Sequence, residues 1–170
     1  SSIQASDLDL YIRFGSMLDY EYKVRMLDLG CSLGMLAPLA PNKPIENAAA
    51  LALGGDGHWG TYLAFDAGAE LKEDLRVGGM VRLSKRFAKA KRRRMILKEE
   101  PINFGTIIGD ASVSPGLTTA VQLWLAFDAM RNGFGIEGIY TYVNHGKDSW
   151  TDKRATTGGV TPDLAKMKRW

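Results

Sequence analysis

The sequence predicts an all-β fold built from long antiparallel hairpins, and three observations lead to this prediction. Apolar and polar residues alternate with a period of two over several long runs, which is typical of strands that have one apolar and one polar face. Short polar turns join successive runs, as in hairpins. No stretch approaches the roughly 20 consecutive apolar residues that a membrane-spanning helix needs.

The alternation occurs in three pairs of runs. The runs span 7–14 and 26–35, 59–71 and 75–87, and 117–128 and 134–145. The connecting turns lie near Leu18 to Glu21, at Lys72-Glu73-Asp74 and at Arg131-Asn132-Gly133. Asn-Gly between alternating runs is a strong hairpin signal. We therefore expect six strands in three hairpins.

The chain is expected to form one unit, 1–170, because 170 residues suffice for one core but not for two. Long loops are predicted at 37–58, which is rich in Pro, Ala and Gly, and at 88–116. The segment 151–170 shows no strand pattern and is predicted to be a loop or tail. Long and short connections thus alternate along the chain.

The strands are longer than those of ordinary globular sheets. The longest predicted runs have about 13 residues. Globular strands have about 5 or 6 residues, and a membrane strand needs about 9 to 11. Membrane barrels also alternate short turns with longer external loops. The apolar and charged fractions, 45% and 24%, are ordinary, as a barrel with alternating faces allows. The pattern predicts an antiparallel, up-and-down transmembrane β-barrel.

The hairpin pattern resembles that of Gram-negative outer-membrane β-barrel proteins, especially porin-like ones, over Trp59 to Phe87 and Gln122 to Trp150. The resemblance is architectural, and no functional residue is carried over from it. It implies an outer-membrane location, contact with the lipid bilayer and lipopolysaccharide, and passage of small hydrophilic solutes. It implies no cofactor.

Six strands are fewer than the roughly 8 of the smallest single-chain barrels. If the short turns are periplasmic, both chain ends lie on the external side, unlike those of complete barrels. We expect strands missing at the ends, strands contributed by other chains, or strands within Met95 to Val113. A homo-oligomer is a separate expectation. The first residues lack the pattern of a signal peptide, which predicts a mature, cytosolic or fragmentary chain.

Charged residues on the predicted polar faces are candidates for lining a pore. They are Arg13, Asp28, Asp66, Glu70, Arg76, Arg82, Arg86, Asp128 and Glu137. In a barrel they would form opposed basic and acidic walls that orient solutes by charge and dipole. A salt-bridged interior that only stabilises the barrel is the alternative.

The segment 101–116 is expected to fold inward as a constriction, to form an extra strand or to pack against a neighbouring subunit.

A basic run supplies most of the net charge of +3. Its members are Lys89, Lys91, Arg92, Arg93 and Arg94. A solvated loop is the default interpretation. On an external loop, these residues would contact lipopolysaccharide phosphates. Nucleic acid is disfavoured because no aromatic residues are interleaved with the run.

Catalytic residues are sparse in the sequence. His58 and His145 are the only histidines, and neither belongs to a metal-binding motif. His145, Asp148 and Ser149 are too close in sequence for an expected triad, and no metal site is predicted. Cys31 occupies an apolar strand position and is expected to be packed or to face lipid. The alternatives are an outer-membrane hydrolase or acyltransferase with His145 or His58 as general base, and a soluble β-barrel or sandwich that binds partners.

Overall fold

The computed structural model describes residues 6–20, 24–40, 45–46, 55–72, 75–101, 105–130, 134–155 and 159–167. Within these ranges the fold is all-β, with nine strands and one short helix. The strands are β1 (Leu8–Asp19), β2 (Met26–Ala37), β3 (Gly60–Lys72), β4 (Leu75–Arg86), β5 (Lys89–Met95), β6 (Ile107–Ser114), β7 (Leu117–Met130), β8 (Phe134–His145) and β9 (Ser149–Asp152), and the helix is α1 (Leu164–Met167).

Six strands form one antiparallel sheet, the large sheet, in the order β1-β2-β3-β4-β7-β8. The three predicted hairpins are confirmed as the pairs β1–β2, β3–β4 and β7–β8. The register keeps the two faces separate, since Ser32 of β2 lies opposite Arg13 of β1 and Ala64 of β3. The large sheet is open: among the described residues, β1 and β8 are edge strands and no closed barrel forms.

The first turn comes later than the sequence predicts. The strand β1 continues through Leu18, which extends the apolar alternation of β1, and ends at Asp19. The backbone N–H of Tyr20 donates to the carbonyl of Arg25 at 2.9 Å and closes the hairpin there. The predicted turn residues 73–74 and 131–133 lie outside the described residues.

The segment 88–116, predicted as a long loop, contains two strands instead. The strands β5 and β6 pair antiparallel, and β9 pairs with the other side of β6, forming a second sheet. Only a few residues separate β4 from β5, β6 from β7, and β8 from β9. The order β5-β6-β9 therefore repeats the order β4-β7-β8 beyond one end of the large sheet. The alternation of apolar and polar residues does not reveal β5, because charged residues lie on both faces of this strand.

The strand β6 lies in the region where the sequence predicts either a missing barrel strand or an inward-folding constriction. It pairs with β5 and β9 in the second sheet, so it neither completes the large sheet nor forms a constriction against its polar face. The extra strand foreseen as one alternative for 101–116 is present. Residues 102–104 lie outside the described residues.

The segment 151–170, predicted as a loop or tail, packs against the second sheet in its described part. Met95, Ile96, Ala111 and Met167 form a buried core, against which Ile107, Trp150 and Leu164 pack. The backbone N–H of Asp163 donates to the carbonyl of Ile96 at 2.8 Å and positions α1. The described residues of 37–58 that follow β2 form only turns and irregular structure.

The large sheet exposes its apolar face. Side chains of this face that are more than half exposed include Ile12, Phe14, Leu33, Phe65, Leu123 and Ile136. On the polar face, in contrast, Ser32, Tyr62 and Ala64 are buried. A water-soluble antiparallel sheet normally has the opposite arrangement. Among the described residues, no helix has the length and apolarity needed to cross a membrane.

Candidate functional site

The polar face of the large sheet is its concave side. Neighbouring strands lie about 4.8 Å apart, so β1 and β4 would be about 14 Å apart in a flat sheet. The guanidinium Nη2 of Arg82 in β4 nevertheless donates to Asp9 Oδ2 in β1 at 3.0 Å. The sheet must curl around its polar face to allow this contact, and the curl encloses Tyr62 and Ala64.

Arg13 joins three strands on the concave face. Its Nη2 donates to Asp28 Oδ1 at 2.9 Å and to Asp66 Oδ2 at 2.5 Å. Its Nε also donates to Asp66 Oδ2, at 3.2 Å. The planar guanidinium suits such shared carboxylate contacts better than an ammonium group would. All three side chains remain about one-third exposed, so the ion pairs are accessible to water.

Arg82 of β4 contacts side chains of β3 and β1 on the same face. Its guanidinium carbon lies 3.5 Å from the centroid of the Tyr62 ring, in a cation–π contact. The ion pair with Asp9 holds the other side of the same guanidinium. We refer to Asp9, Arg13, Asp28, Tyr62, Asp66 and Arg82 together as the concave-face cluster.

Glycines on the polar face make room for large side chains. Trp124 lies opposite Gly78, and a Cβ at Gly78 would overlap the indole ring. A Cβ at Gly34 would likewise overlap the ring of Tyr62. The absence of a Cβ at these two positions therefore lets the polar face accommodate the rings of Trp124 and Tyr62.

Four of the predicted pore-lining residues lie near the short-turn end of the large sheet. Glu70 and Arg76 lie opposite each other in the β3–β4 pair. Asp128 occupies a polar-face position of β7, and Glu137 is exposed on the edge strand β8. The register thus places all four on the polar face, but away from the concave-face cluster.

The charges at the centre of the concave face do not form opposed walls. Among the described residues of the cluster, each arginine pairs directly with a carboxylate. Paired charges leave little net field across the interior, in contrast to segregated charges. The arrangement corresponds to the salt-bridged alternative.

A second group of polar side chains, the rim cluster, joins the large sheet to the second sheet. Its members are Asp7, Asp56, His58, Arg86, Lys91 and Arg93. Asp56 accepts from Lys91 Nζ at 2.5 Å and from Arg93 Nη1 at 2.6 Å. Arg86, a predicted pore-lining residue, donates to Asp7 at 2.9 Å and belongs to this rim.

Both ring nitrogens of His58 are occupied by the rim cluster. Its Nδ1 lies 2.9 Å from the carbonyl oxygen of Phe87, and its Nε2 lies 2.8 Å from Arg93 Nη2. A carbonyl only accepts and a guanidinium only donates, so these partners fit the neutral ring with its proton on Nδ1. Burial lowers the pKa of His58, and the charge of Arg93 acts in the same direction. His58 is therefore not placed to act as a general base.

The basic side chains of β5 form hydrogen bonds and ion pairs with neighbouring loops. Lys89 Nζ donates to the carbonyl of Gly57 at 2.9 Å, and Arg94 Nε donates to the carbonyl of Ile45 at 2.6 Å. Lys91 and Arg93 are held by Asp56. The interpretation as a solvated loop is wrong, because these residues form a strand whose side chains bind the preceding loop. Arg92 is exposed, and no hydrogen bond from it is found among the described residues.

His145 lies between a hydroxyl and a carboxylate at the end of β8. Thr118 Oγ1 lies 2.7 Å from its Nδ1, and Asp148 Oδ1 lies 2.9 Å from its Nε2. The same carboxylate oxygen accepts from the backbone N–H of Gly116 at 2.8 Å. This cluster ties β7 to β8 where both pass into the second sheet. Its order also matches that of a nucleophile, a base and an orienting carboxylate.

Several residues of these clusters are absent from the sequence-based candidates. Asp9 and Tyr62 lie in the alternating pattern at polar-face positions, which was a usable signal. Asp56 gave no such signal, since it lies in an irregular segment and meets Arg93 from 37 positions away. Thr118 also lies at a polar-face position of the predicted run 117–128, but its contact with His145, 27 positions away, has no signal in the local sequence.

Comparison with known protein families, curated proteins and solved structures finds no match to this chain. Within the described part of the chain, no group of three or more His, Cys, Asp or Glu side chains is arranged to hold a metal ion. The single cysteine, Cys31, is a thiol of intermediate exposure on the apolar face of β2.

Proposed function

We propose that the chain forms part of the wall of a porin-like β-barrel in a bacterial outer membrane, and that small hydrophilic solutes pass along its concave polar face. The observation that carries this proposal is the arrangement of the large sheet, which exposes its apolar face and curls around its polar face. Hydrocarbon on the outside and water on the inside are the surroundings that suit such a sheet.

The extent of the exposed apolar face supports the proposal. Leu, Ile, Phe, Val and Tyr side chains that are exposed on this face occur on all six strands of the large sheet. Soluble monomers rarely expose contiguous apolar patches larger than a few hundred Å², and larger ones mark interfaces with a partner or a membrane. Because every strand contributes, one continuous apolar solvent explains the pattern better than a local docking site.

Strand length agrees with membrane thickness. The strands β1, β2, β4 and β8 each contain 12 residues. At about 3.4 Å per residue and a tilt of about 45°, such a strand spans about 29 Å. This height is close to the apolar band of about 25 Å that outer-membrane barrels present to lipid.

The ion pairs of the concave-face cluster indicate which solutes the pore would select. They remain water-accessible, and each positive group is matched by a carboxylate close by. A lining of this kind would favour hydrophilic solutes and discriminate weakly between anions and cations. The second sheet would extend outside the bilayer, where exposed Arg92 is available to lipopolysaccharide phosphates.

Membrane extraction and single-channel recording test the proposal. The protein should require detergent, show different gel mobilities before and after boiling, and conduct ions in a planar bilayer. Asp66→Asn should shift selectivity toward anions, because it removes one of the two carboxylates that pair with Arg13. Arg13→Gln should shift selectivity toward cations, because it leaves Asp28 and Asp66 without this guanidinium. Arg92→Gln, on β5, is the control and should change selectivity little. A protein that stays dispersed without detergent, or that never conducts, would contradict the proposal.

A hydrolase is the second candidate function, and the arrangement of Thr118, His145 and Asp148 at the end of β8 favours it. With Asp148 accepting from Nε2–H, the unprotonated Nδ1 of His145 is oriented to take the Thr118 proton. Ester hydrolysis that is lost in Thr118→Val and retained in Thr118→Ser would support this candidate. Equal activity in both variants would assign the cluster to structure alone.

A further inference from the structure

The large sheet has two long lateral edges, β1 and β8, and each has one hydrogen-bonded neighbour among the described strands. Both strands contain 12 residues. All residues of β1 are exposed, as are Gly135 to His145 of β8. One side of each strand therefore offers a row of backbone N–H and C=O groups to a further strand.

Edges of this kind need a partner. Soluble proteins blunt long apolar edges with bulges, prolines or inward-pointing charges, because an open edge pairs readily with other chains. In a bilayer, no water is available to pair with a free backbone N–H or C=O group, so spanning sheets have to close. This step rests on the proposed function, since only a membrane makes closure obligatory.

We propose that β8 of one copy pairs antiparallel with β1 of a second copy, so that two copies close one barrel. Five successive antiparallel pairings make β8 run opposite to β1, so β8 continues the ladder when it meets β1 of the partner. Two copies of the six-stranded sheet supply twelve strands. Twelve lies within the even range of about 8 to 26 strands that such barrels use, whereas six strands closing on themselves do not.

Charge and face patterns fit this pairing. Arg13 of β1 and Glu137 of β8 both belong to the polar face, and a register that sets them opposite each other brings unlike charges together. The same register sets Ile12 opposite Gly138 and Leu10 opposite Tyr140 on the apolar face. The apolar face of the large sheet would thus continue across the junction, and on the polar face the same register would set Tyr11 opposite Ile139.

Disulfide trapping between two single-cysteine proteins tests the pairing. In a Cys31→Ser background, a protein carrying Ile12→Cys is mixed with one carrying a cysteine on β8, and the two are refolded together into lipid vesicles. Gly138→Cys is a suitable partner because a Cβ there meets nothing within 4 Å among the described atoms. A cross-linked dimer is expected with a cysteine at Gly138, which the proposed register sets opposite Ile12. Cysteines at Ile136 or Tyr140, two positions away on the same face, should give much less dimer.

Cysteines at Glu137 and Ile139 are the matched controls, since they lie on the opposite face and should give at least tenfold less dimer. Dimer formation at all five β8 positions would indicate aggregation and overturn the proposal. Only monomers in the mixture, or an intramolecular disulfide in the Ile12→Cys/Gly138→Cys double variant, would also overturn it.

Failure of the pairing can be told apart from failure of the proposed function. A monomer that still needs detergent and still shows heat-dependent mobility would retain the membrane proposal and reject the second copy. The closing strands would then belong to a longer polypeptide or to a different chain. A protein that needs no detergent would reject the membrane proposal, whatever the cross-linking pattern.

Discussion

The two sheets differ in where their apolar side chains lie, although three strands of one continue almost directly into the other. The second sheet buries apolar side chains around Met95 and Ile96, and its Lys91 and Arg93 are partly buried in ion pairs with Asp56. The large sheet places ion pairs on its concave side and leaves leucines and phenylalanines exposed. The same chain therefore combines a sheet with a buried apolar core and a sheet whose apolar face is exposed. Under the proposed function, lipid covers that exposed face.

The largest expected effect comes from placing charges on the exposed apolar face. Leu33→Arg combined with Val81→Arg should lower the free energy of unfolding in lipid vesicles by about 4 to 8 kcal/mol, because each midplane arginine costs about 2 to 4 kcal/mol and the two sites are not adjacent. The folded fraction on unheated gels across a urea titration measures this change.

The matched control adds two arginines at exposed positions in or near the second sheet, Ala90→Arg and Ala155→Arg. We expect each to change stability by no more than about 0.5 kcal/mol. Similar effects from the control pair and from the Leu33 and Val81 pair would remove the distinction between the two sheets.

Truncating the core of the second sheet gives the next effect. Met95 is fully buried. Met95→Ala should therefore cost about 2 to 5 kcal/mol, through lost burial and the cavity that remains. Hydrogen exchange should show faster amide exchange in β5, β6 and β9 while β2 and β3 remain protected.

Met35→Ala, on the exposed apolar face of β2, serves as the control for Met95→Ala. It should have a much smaller effect, since no cavity forms inside the protein. Loss of protection throughout both sheets in Met95→Ala would show that they unfold as one unit.

The smallest effect concerns pH at the rim cluster. Burial lowers the pKa of His58 below its ordinary value of 6.5, so the unfolded chain binds the proton more readily than the folded one. Stability from this group is therefore complete above about pH 6.5 and falls as the pH drops below that value.

Hydrogen exchange of β5 at pH 5.5 and 7.5 measures the effect at the rim. His58→Gln should reduce the difference between the two pH values, because glutamine does not titrate. An unchanged difference in that variant would assign the pH dependence to another group.

The strands and faces of the large sheet could be predicted from local sequence. The alternation from Leu75 to Arg86 places Val81 on one face and Arg82 on the other, and the register confirms this for all three hairpins. The second sheet could not be predicted in the same way. Its strand β5 consists mostly of lysine and arginine, and only pairing with β6 and contacts with Asp56 reveal it as a strand.

The sequence predicts which residues lie on the polar face, but it does not predict which of them form ion pairs. Arg13, Asp28 and Asp66 were recognised as polar-face residues, but their ion pairs depend on how far the sheet curls. Asp9 joins the cluster only because curling brings β1 within reach of Arg82, 73 positions away. Curvature comes from the twist and packing of many strands together, so no single run of sequence encodes it.

The sequence by itself therefore determined the all-β class, the hairpin pairs and the assignment of residues to an apolar and a polar face. These follow from backbone geometry with a period of two, which acts within a few residues. The tertiary structure alone decided which face became the concave side, how the charges paired and where the chain left the large sheet to form the second one. Those features arise from contacts between residues tens of positions apart, and such contacts exist only once the strands have found their register.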